Sequence, residues 1–208
     1  MTEDDLGTIA RRTLGHYDAN ADAFWEGTRD HDVTQNYEAL TGALGNRPSL
    51  RILDFGCGPG RDLVAFRAMG HDVVGLDGSA EFVGRARERS GAEVWHQSFF
   101  DLDLPSSRFD GVFANASLFH VPRRILPDVM ARLRACLVPG GVLFGSNPRS
   151  FDHDREGWKG ERYGSYLTRT TWEELFVASG FTLVSSYLRP NDVPESERPW
   201  SAMVGRRT

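Results

Sequence analysis

Three glycines at alternate positions, Gly56, Gly58 and Gly60, follow Asp54 in the stretch DFGCGPGR. Glycine tolerates positive φ, and it lets a ligand approach the main chain where a Cβ would collide. The dinucleotide fingerprint G-x-G-x-x-G would need a further glycine at the position of Arg61. The acidic first residue and the alternate glycines therefore suit a ligand that is bound without a pyrophosphate group.

A second aspartate, Asp77, follows the apolar run 72–76 and is itself followed by Gly78. At the tip of a strand, a carboxylate can accept hydrogen bonds from both ribose hydroxyls of an adenosine and hold the nucleoside against the first loop. The alternative is that Asp77 only caps the helix that follows it. Together, the glycine loop and Asp77 indicate a nucleoside site more specifically than either feature does alone.

Alternating strand and helix patterns surround both features. We predict strands over 50–54, 72–76, 93–97, 109–116 and 142–146, and helices over 61–69, 79–89 and from Pro122 to the turn at 139–141. Strands that alternate with helices predict a doubly wound α/β fold with a parallel sheet covered on both faces. Two closing strands, 181–188 and 200–206, have no long helix between them, which predicts an antiparallel hairpin at the sheet edge.

A helical segment precedes this α/β core. Residues 1–46 carry apolar residues at helical spacing, and Asp32 with Gln35 predicts a capping box for a second helix in this segment. No repeat, low-complexity tract or Pro-rich linker divides the sequence. We therefore predict a single domain over 1–208, with the helical segment 1–46 and an α/β core over 47–208.

Composition disfavours several classes of function. A formal net charge of −5 over 208 residues lacks the basic footprint of a nucleic-acid binder. The N-terminus lacks the layout of a signal peptide, and no run approaches the roughly 18 apolar residues that span a membrane, so we expect a cytoplasmic protein. Cys57, Cys136 and the Asp-His-Asp runs at 30–32 and 152–154 fit no disulfide framework or standard metal site. We predict no bound metal, and the oligomeric state stays open.

Four motifs together resemble the class I S-adenosylmethionine-dependent methyltransferases. ILDFGCGPGRDL resembles the first motif of that family, VVGLDGS the second, FDGVFANASLFHVP the motif on the fourth strand, and LRACLVPGGVLFGSNP the helix, turn and fifth strand that follow. The resemblance covers about residues 50–148 and extends more loosely to both ends. It implies a seven-stranded, mostly parallel, Rossmann-like sheet with an antiparallel last strand. It also implies N-terminal helices that fold over the site as a lid, and S-adenosylmethionine as cofactor.

The resemblance also implies which residues contact the cofactor: Tyr17, Asp54, Gly56, Gly58, Gly60, Asp77, Gly78, Ser98, Phe99 and Asn115. The first-motif aspartate and glycines would wall the methionine part, and Asp77 would hold the ribose. Ser98 stands where many members place an acidic residue against the adenine amine, and its hydroxyl accepts a weaker hydrogen bond than a carboxylate would. Asn115 would border the methyl-transfer point, and Tyr17 would lie near the methionine end.

Methyl transfer requires mainly that the acceptor is correctly positioned. A methyltransferase must hold the lone pair of the acceptor in line with the S–CH₃ bond, and positioning of this kind lowers a barrier by several kcal/mol. A general base is needed only when the acceptor carries a proton that must leave. His120, just after the fourth strand, is the predicted candidate for that base. The alternative is a structural histidine at the entry to a helix.

Acceptor residues are expected in the long segment that follows Pro148. We assign no regular element there until a last helix, which Thr170 and Glu173 are predicted to cap. Connections of this length in compact domains are usually functional or disordered, and the aromatic residues disfavour disorder. Carboxylate-binding forks and flat walls for a ring would come from Arg149, Trp158, Arg162, Tyr163 and Tyr166. The alternative is a solvated loop whose aromatic residues only anchor it to the sheet.

The sequence therefore supports the hypothesis of a methyltransferase for a small polar metabolite. An arginine fork beside aromatic walls suits an acceptor with a carboxylate and a planar group, such as an amino-acid or imidazole derivative, for instance a modified histidine. Small carboxylic acids and phenols stay open as acceptors. A nicotinamide-dependent oxidoreductase is the first alternative, and Arg61 is the feature against it. A non-catalytic S-adenosylmethionine-binding protein is the second. A macromolecular acceptor is disfavoured by the acidic net charge. Parallel titrations with S-adenosylmethionine and NAD would separate a methyltransferase from an oxidoreductase.

Overall fold

The computed structural model of the protein describes residues 5–208. Its strands are β1 (Arg51–Phe55), β2 (Asp72–Asp77), β3 (Glu93–His96), β4 (Phe109–Asn115), β5 (Leu137–Pro148), β6 (Arg155–Lys159), β7 (Arg162–Tyr166), β8 (Phe181–Arg189) and β9 (Trp200–Arg207). Its α-helices are α1 (Leu6–Ala19), α2 (Ala21–Thr28), α3 (Thr34–Ala43), α4 (Arg61–Ala68), α5 (Ala80–Ser90), α6 (Leu126–Cys136) and α7 (Arg169–Ala178). The first four residues of the predicted segment 1–46 lie outside the described residues.

Seven strands form one sheet in the order β3-β2-β1-β4-β5-β9-β8. Strands β1 to β5 run parallel, whereas β9 is antiparallel to both of its neighbours, β5 and β8. The predicted seven-stranded, doubly wound sheet with an antiparallel last strand is therefore confirmed, and the predicted closing hairpin forms one edge of it. Strand β8 is parallel to β5, so its C-terminal residue lies at the same sheet edge as the loops that follow β1, β2 and β4.

The strand order reverses between β1 and β4. Strands β2 and β3 are added on the outer side of β1, whereas β5 is added on the outer side of β4. In open α/β sheets, ligands bind at such a switch point, beyond the carboxyl ends of the strands. The glycine loop follows β1, and a short 3₁₀ helix, Leu118–His120, follows β4. The glycine loop and the motif on the fourth strand are therefore side by side in the fold.

Apolar packing fixes the sheet from both faces. On one face, the α6 residues Val129, Met130 and Leu133 are buried together, as their spacing predicts. On the other face, α4 buries Leu63 and Phe66 against the sheet. Full burial of each such side chain contributes about 1.5–3 kcal/mol. The sheet is therefore a rigid support for the loops at its ligand-binding edge.

The segment after Pro148 differs from the prediction. Strands β6 and β7 form a separate antiparallel hairpin where no regular element was expected. The last helix, α7, is capped by Thr168, whose side chain accepts a hydrogen bond from the Thr171 N–H, and not by Thr170. The hairpin was missed because its strands, REGWK and RYGSY, are rich in charged residues and glycine and show little apolar alternation.

Residues 5–46 contain three helices, one more than predicted. A break at Asn20 separates α1 from α2. Asp32 Oδ1 accepts the Thr34 N–H at 2.9 Å, but Val33 is the N-cap residue of α3, so the predicted capping box is not formed as drawn. Helices α1 and α2 extend across the ligand-binding edge of the sheet. No helix within residues 5–208 has the length and apolar character that a membrane crossing requires.

Candidate active site

A cavity of about 870 Å³ lies between the sheet edge and the N-terminal helices. Its volume is in the upper part of the range typical of small-molecule sites, about 300–1,000 Å³. Predicted site residues that line it are Tyr17, Gly56, Gly58, Asp77, Gly78, Ser98, Phe99, Asn115, His120 and Arg162. Other predicted residues stand behind or away from this wall: Asp54, Gly60, Arg149, Trp158, Tyr163 and Tyr166.

The glycine loop needs its glycines for packing as well as for ligand approach. Gly56 has a φ of +79°, and a Cβ at this position would lie 2.4 Å from the Cβ of Ser117. Gly60 has a φ of +97°, and a Cβ there would lie 2.9 Å from the Cα of Ala86 in α5. Gly60 therefore lets α4 start close to α5, while Gly56 brings the loop against the end of β4.

Asp77 fastens this loop to β2. Its Oδ2 accepts the Gly58 N–H and its Oδ1 accepts the Ser79 N–H, both at 2.9 Å. Burial raises the pKa of Asp77 to about 6. The N-cap of α5 is Ser79, whose hydroxyl accepts the Phe82 N–H, so Asp77 does more than cap that helix. A carboxylate has about four acceptor positions, so Asp77 can still accept hydroxyl groups from a ligand.

Asp54 acts from beneath the loop. Its side chain is buried with 1% exposure, and its Oδ2 has no hydrogen-bond partner within the described part of the chain. Burial, and then the neighbouring Asp62 carboxylate, raise the pKa of Asp54 well above its usual range. Asp54 therefore lies behind the cavity wall, whereas Gly56 and Gly58 of the same loop line the cavity.

Ser98 and Phe99 line the cavity at the predicted adenine position. The Phe99 ring stacks on Phe55 of β1, with centroids 4.3 Å apart and an interplanar angle of 27°. The Ser98 hydroxyl accepts the Phe100 N–H at 3.2 Å. The stack fixes the orientation of Phe99 and leaves the Ser98 hydroxyl hydrogen available to a ligand.

His120 is held between two partners. Its Nδ1 lies 2.7 Å from the backbone oxygen of Tyr163, which only accepts, so Nδ1 carries the hydrogen. Its Nε2 then accepts a hydrogen bond from the Tyr17 hydroxyl, also at 2.7 Å. Burial lowers the pKa of His120 to about 4 and raises the pKa of Tyr17. This geometry is that of a neutral, positioned histidine, and its role as general base stays a prediction.

Asn115 is oriented by a polar network that the sequence did not reveal. Arg61 forms a forked ion pair with Asp62, with N–O distances of 2.7 and 3.0 Å, and donates to the Thr28 carbonyl. Asp62 also accepts from Asn115 Nδ2 at 3.4 Å, and Asn36 donates to Asn115 Oδ1 at 3.0 Å. Arg61 and Asp62 line the cavity, and their position in the first turn after the glycine loop is the signal that was available.

The predicted acceptor fork, Arg149, is used elsewhere. Its Nε donates to the Arg198 carbonyl at 2.7 Å, and its Nη2 donates to the carbonyls of Glu195 and Ser196. Its guanidinium also lies over the Phe151 ring at 4.4 Å. Arg149 therefore holds the segment between β8 and β9 and is turned away from the cavity.

The aromatic residues of the β6–β7 hairpin anchor helix α1. The Arg12 guanidinium lies 4.0 Å from the ring centroid of Trp158, and the Trp158 and Tyr163 rings meet edge to face. Tyr166 packs near Phe119 with centroids 6.0 Å apart. These contacts match the alternative in which the aromatic residues are anchors. Arg162 lines the cavity, with its guanidinium 5.9 Å from the Tyr17 ring centroid.

The closing hairpin supplies residues for which the sequence predicted no role in the site. Arg189, at the end of β8, and Trp200, at the start of β9, line the cavity and face each other in the sheet register. Asp32 and Asp192 line the same cavity. No group of three or more His, Cys, Asp or Glu side chains that suits a metal ion is present among the described residues.

The family assignment follows from comparison with known proteins. The family described as "Methyltransferase domain" matches residues 25–186. The chain belongs to the S-adenosylmethionine-dependent methyltransferase family. This confirms the predicted family and decides against the nicotinamide-dependent oxidoreductase.

A similar solved structure is the 1,6-didemethyltoxoflavin-N1-methyltransferase of Burkholderia thailandensis, with bound 1,6-didemethyltoxoflavin and S-adenosylhomocysteine. It is 26% identical to this methyltransferase-family chain, with a TM-score of 0.80 over 98% of this chain and 88% of that one. The match extends over almost the whole sheet and the N-terminal helices.

Two similar curated relatives are methyltransferases by their names. Trans-aconitate 2-methyltransferase of Azoarcus sp. (strain BH72) is 34% identical over 57% of this chain and 47% of its own length. Malonyl-[acyl-carrier protein] O-methyltransferase of Enterobacter lignolyticus (strain SCF1) is 36% identical over 51% of this chain and 42% of its own length. The alignments thus span less than half of these curated relatives.

Proposed function

We propose that the protein transfers a methyl group from S-adenosylmethionine to a small polar molecule by direct in-line displacement. The observation that carries the proposal is the buried Asp77 carboxylate, which holds the Gly58 N–H and lines the same cavity as Gly56 and Asn115. The bound cofactor would supply an electrophilic methyl group on its sulfonium. A buried carboxylate beside a loop without Cβ atoms fits a nucleoside with ribose hydroxyls.

The residues of the cavity wall would contact different parts of the cofactor. Asp77 would accept the ribose hydroxyls, Gly56 and Gly58 would lie against the methionine part, and Ser98 with Phe99 would contact the adenine. Asn115 has both ends of its amide fixed, which suits a residue that borders the reacting atoms without moving. Tyr17 and His120 close the wall between these parts.

The proposed acceptor is an amino-acid or imidazole derivative, for instance a modified histidine. The cavity wall carries both charge signs, from Arg189 and from Asp32 and Asp192, and Trp200 adds a flat surface. A zwitterion with a ring suits such a wall. The relative from Burkholderia thailandensis is named for methylation at N1 of its substrate. A neutral ring nitrogen offers a lone pair without a base, which agrees with the engagement of His120 Nε2 by Tyr17.

Methyl transfer from labelled S-adenosylmethionine tests the proposal. The acceptor panel would contain histidine, thiol-bearing imidazoles, small carboxylic acids and phenols, with nucleic acid as a macromolecular comparison. We expect label in one small-molecule class and none in nucleic acid. Cofactor binding without transfer to any member would favour the non-catalytic binding protein. Absence of cofactor binding would contradict the proposal outright.

A further inference from the structure

Arg189 lies at the ligand-binding edge of the sheet, and its guanidinium forms no ion pair with another of the described residues. It is the last residue of β8 and lines the cavity beside Trp200, its partner in the β8–β9 register. Its guanidinium lies 5.4 Å from the Trp200 ring centroid. The side chain is only partly exposed, and its Nε is buried without a hydrogen-bond partner among residues 5–208.

The contrast with Arg61 is informative, because both arginines line the same cavity. Arg61 donates two hydrogen bonds to Asp62 and one to the Thr28 carbonyl. Within the described ranges, Arg189 forms neither a hydrogen bond nor an ion pair of this kind. A buried charged donor without a hydrogen-bond partner is unfavourable, so we expect an acceptor group of a ligand to pair with Arg189.

The carboxylates near Arg189 do not fill this need. Asp62 is already shared by Arg61, Tyr37 and Asn115. Asp32 is exposed and accepts the Thr34 N–H. Burial lowers the pKa of Arg189, yet a guanidinium stays charged at neutral pH. Arg189 therefore carries a positive charge, lines the cavity and forms no ion pair with a carboxylate of residues 5–208.

We propose that Arg189 binds a carboxylate of the methyl acceptor, with the Trp200 ring as the flat surface beside it. The inference rests on the proposed function and assigns to Arg189 the role that the sequence had suggested for Arg149. A guanidinium presents parallel N–H groups that match a carboxylate. A single carboxylate is favoured over a phosphate because Asp32 and Asp192 line the same cavity and would repel a dianion.

Matched acids and analogues without the carboxylate test the inference on protein saturated with S-adenosylhomocysteine. The calorimetric pairs are L-histidine with L-histidinol, and 4-hydroxybenzoate with 4-hydroxybenzamide. We expect at least one acid to bind the wild-type protein about tenfold or more tightly than its analogue without the carboxylate. Absence of binding by every acid to the saturated wild-type protein would overturn the inference and leave the methyltransferase assignment intact.

Variants place the effect on Arg189. Arg189→Gln should weaken binding of that acid about tenfold or more, and Arg189→Lys should weaken it less because the charge remains. Arg108→Gln is the control, since Arg108 pairs with Glu93 at 3.3 Å and lies outside the cavity wall. Unchanged affinity for S-adenosylhomocysteine in each variant shows an intact fold. Equal acid binding by wild type and Arg189→Gln would overturn the inference, whereas failure of wild type to bind S-adenosylhomocysteine would remove the proposed function itself.

Discussion

The Tyr17 hydroxyl donates a hydrogen bond to Nε2 of His120 at 2.7 Å, and the two rings meet edge to face with centroids 5.5 Å apart. Tyr17 belongs to α1, whereas His120 follows β4 at the centre of the sheet. The bond therefore joins the helices that cover the cavity to the edge of the sheet that forms its floor. A stronger hydrogen bond would hold these helices more firmly over the cavity.

Removal of the Tyr17 hydroxyl should destabilise the fold. Tyr17→Phe leaves His120 Nε2 without its partner, which costs about 1–3 kcal/mol for a buried group. His120→Asn removes Nε2 but retains an amide donor toward Tyr163. In a double-mutant cycle read by urea unfolding, we expect a coupling energy of about 0.5 kcal/mol or more. Additive effects of the two substitutions would show that the hydrogen bond contributes nothing.

Acidification should destabilise the protein through His120. Burial places the folded-state pKa at about 4, below the ordinary value of 6.5, so the unfolded state binds more protons between these values. The stabilisation from a neutral His120 is thus complete above the unfolded pKa and is lost as pH falls toward the folded one. Wild type should lose more stability than His120→Asn over this range. Parallel losses in the two proteins would contradict the buried neutral state.

Cofactor affinity should fall at acid pH through Asp77. Burial raises the pKa of this carboxylate to about 6, and ribose hydroxyls donate to the ionised form. Protonation below that pH removes acceptor capacity, so binding of S-adenosylhomocysteine should weaken as pH falls through about 6. Asp77→Asn should bind more weakly at neutral pH and show a flatter profile. An unchanged pH profile in Asp77→Asn would place the titrating group elsewhere.

Gly56 should tolerate a methyl group less well than Gly58. A Cβ at Gly56 would lie 2.4 Å from the Ser117 Cβ, whereas a Cβ at Gly58 would meet only the Phe24 ring at 3.7 Å. Both positions have positive φ, so Gly58→Ala controls for backbone strain, which costs about 1–2 kcal/mol. Gly56→Ala should cost about 1–3 kcal/mol more because of the steric overlap. Ser117→Gly should relieve Gly56→Ala, and equal costs at the two glycines would contradict this packing.

The order of strands and helices was predictable because apolar periodicity records which faces are buried. Strands β1, β2 and β4 are nearly continuous runs of buried residues, as parallel strands covered on both faces must be. The β6–β7 hairpin was not predictable in this way. Its position depends on contacts distant in sequence, such as the hydrogen bond from the Tyr163 N–H to Thr13 in α1.

The acceptor end of the site shows a second limit of the sequence. Arg149 follows the fifth strand of the sheet and Arg189 ends β8, so both lie near the ligand-binding edge. Local sequence does not tell which guanidinium turns inward. The carbonyls of Glu195, Ser196 and Arg198 draw Arg149 away, whereas Arg189 remains in the cavity wall. The kind of side chain was predictable, but its position required the fold.

Titration of S-adenosylhomocysteine into wild type and Asp77→Ala tests the central claim most directly. Wild type should bind the compound, with NAD as a ligand that does not bind. Asp77→Ala should bind it several-fold more weakly, because the variant loses the acceptor of the ribose hydroxyls and the partner of the Gly58 N–H. Equal affinity in the two proteins, or binding of NAD alone, would contradict the assignment of this cavity to S-adenosylmethionine.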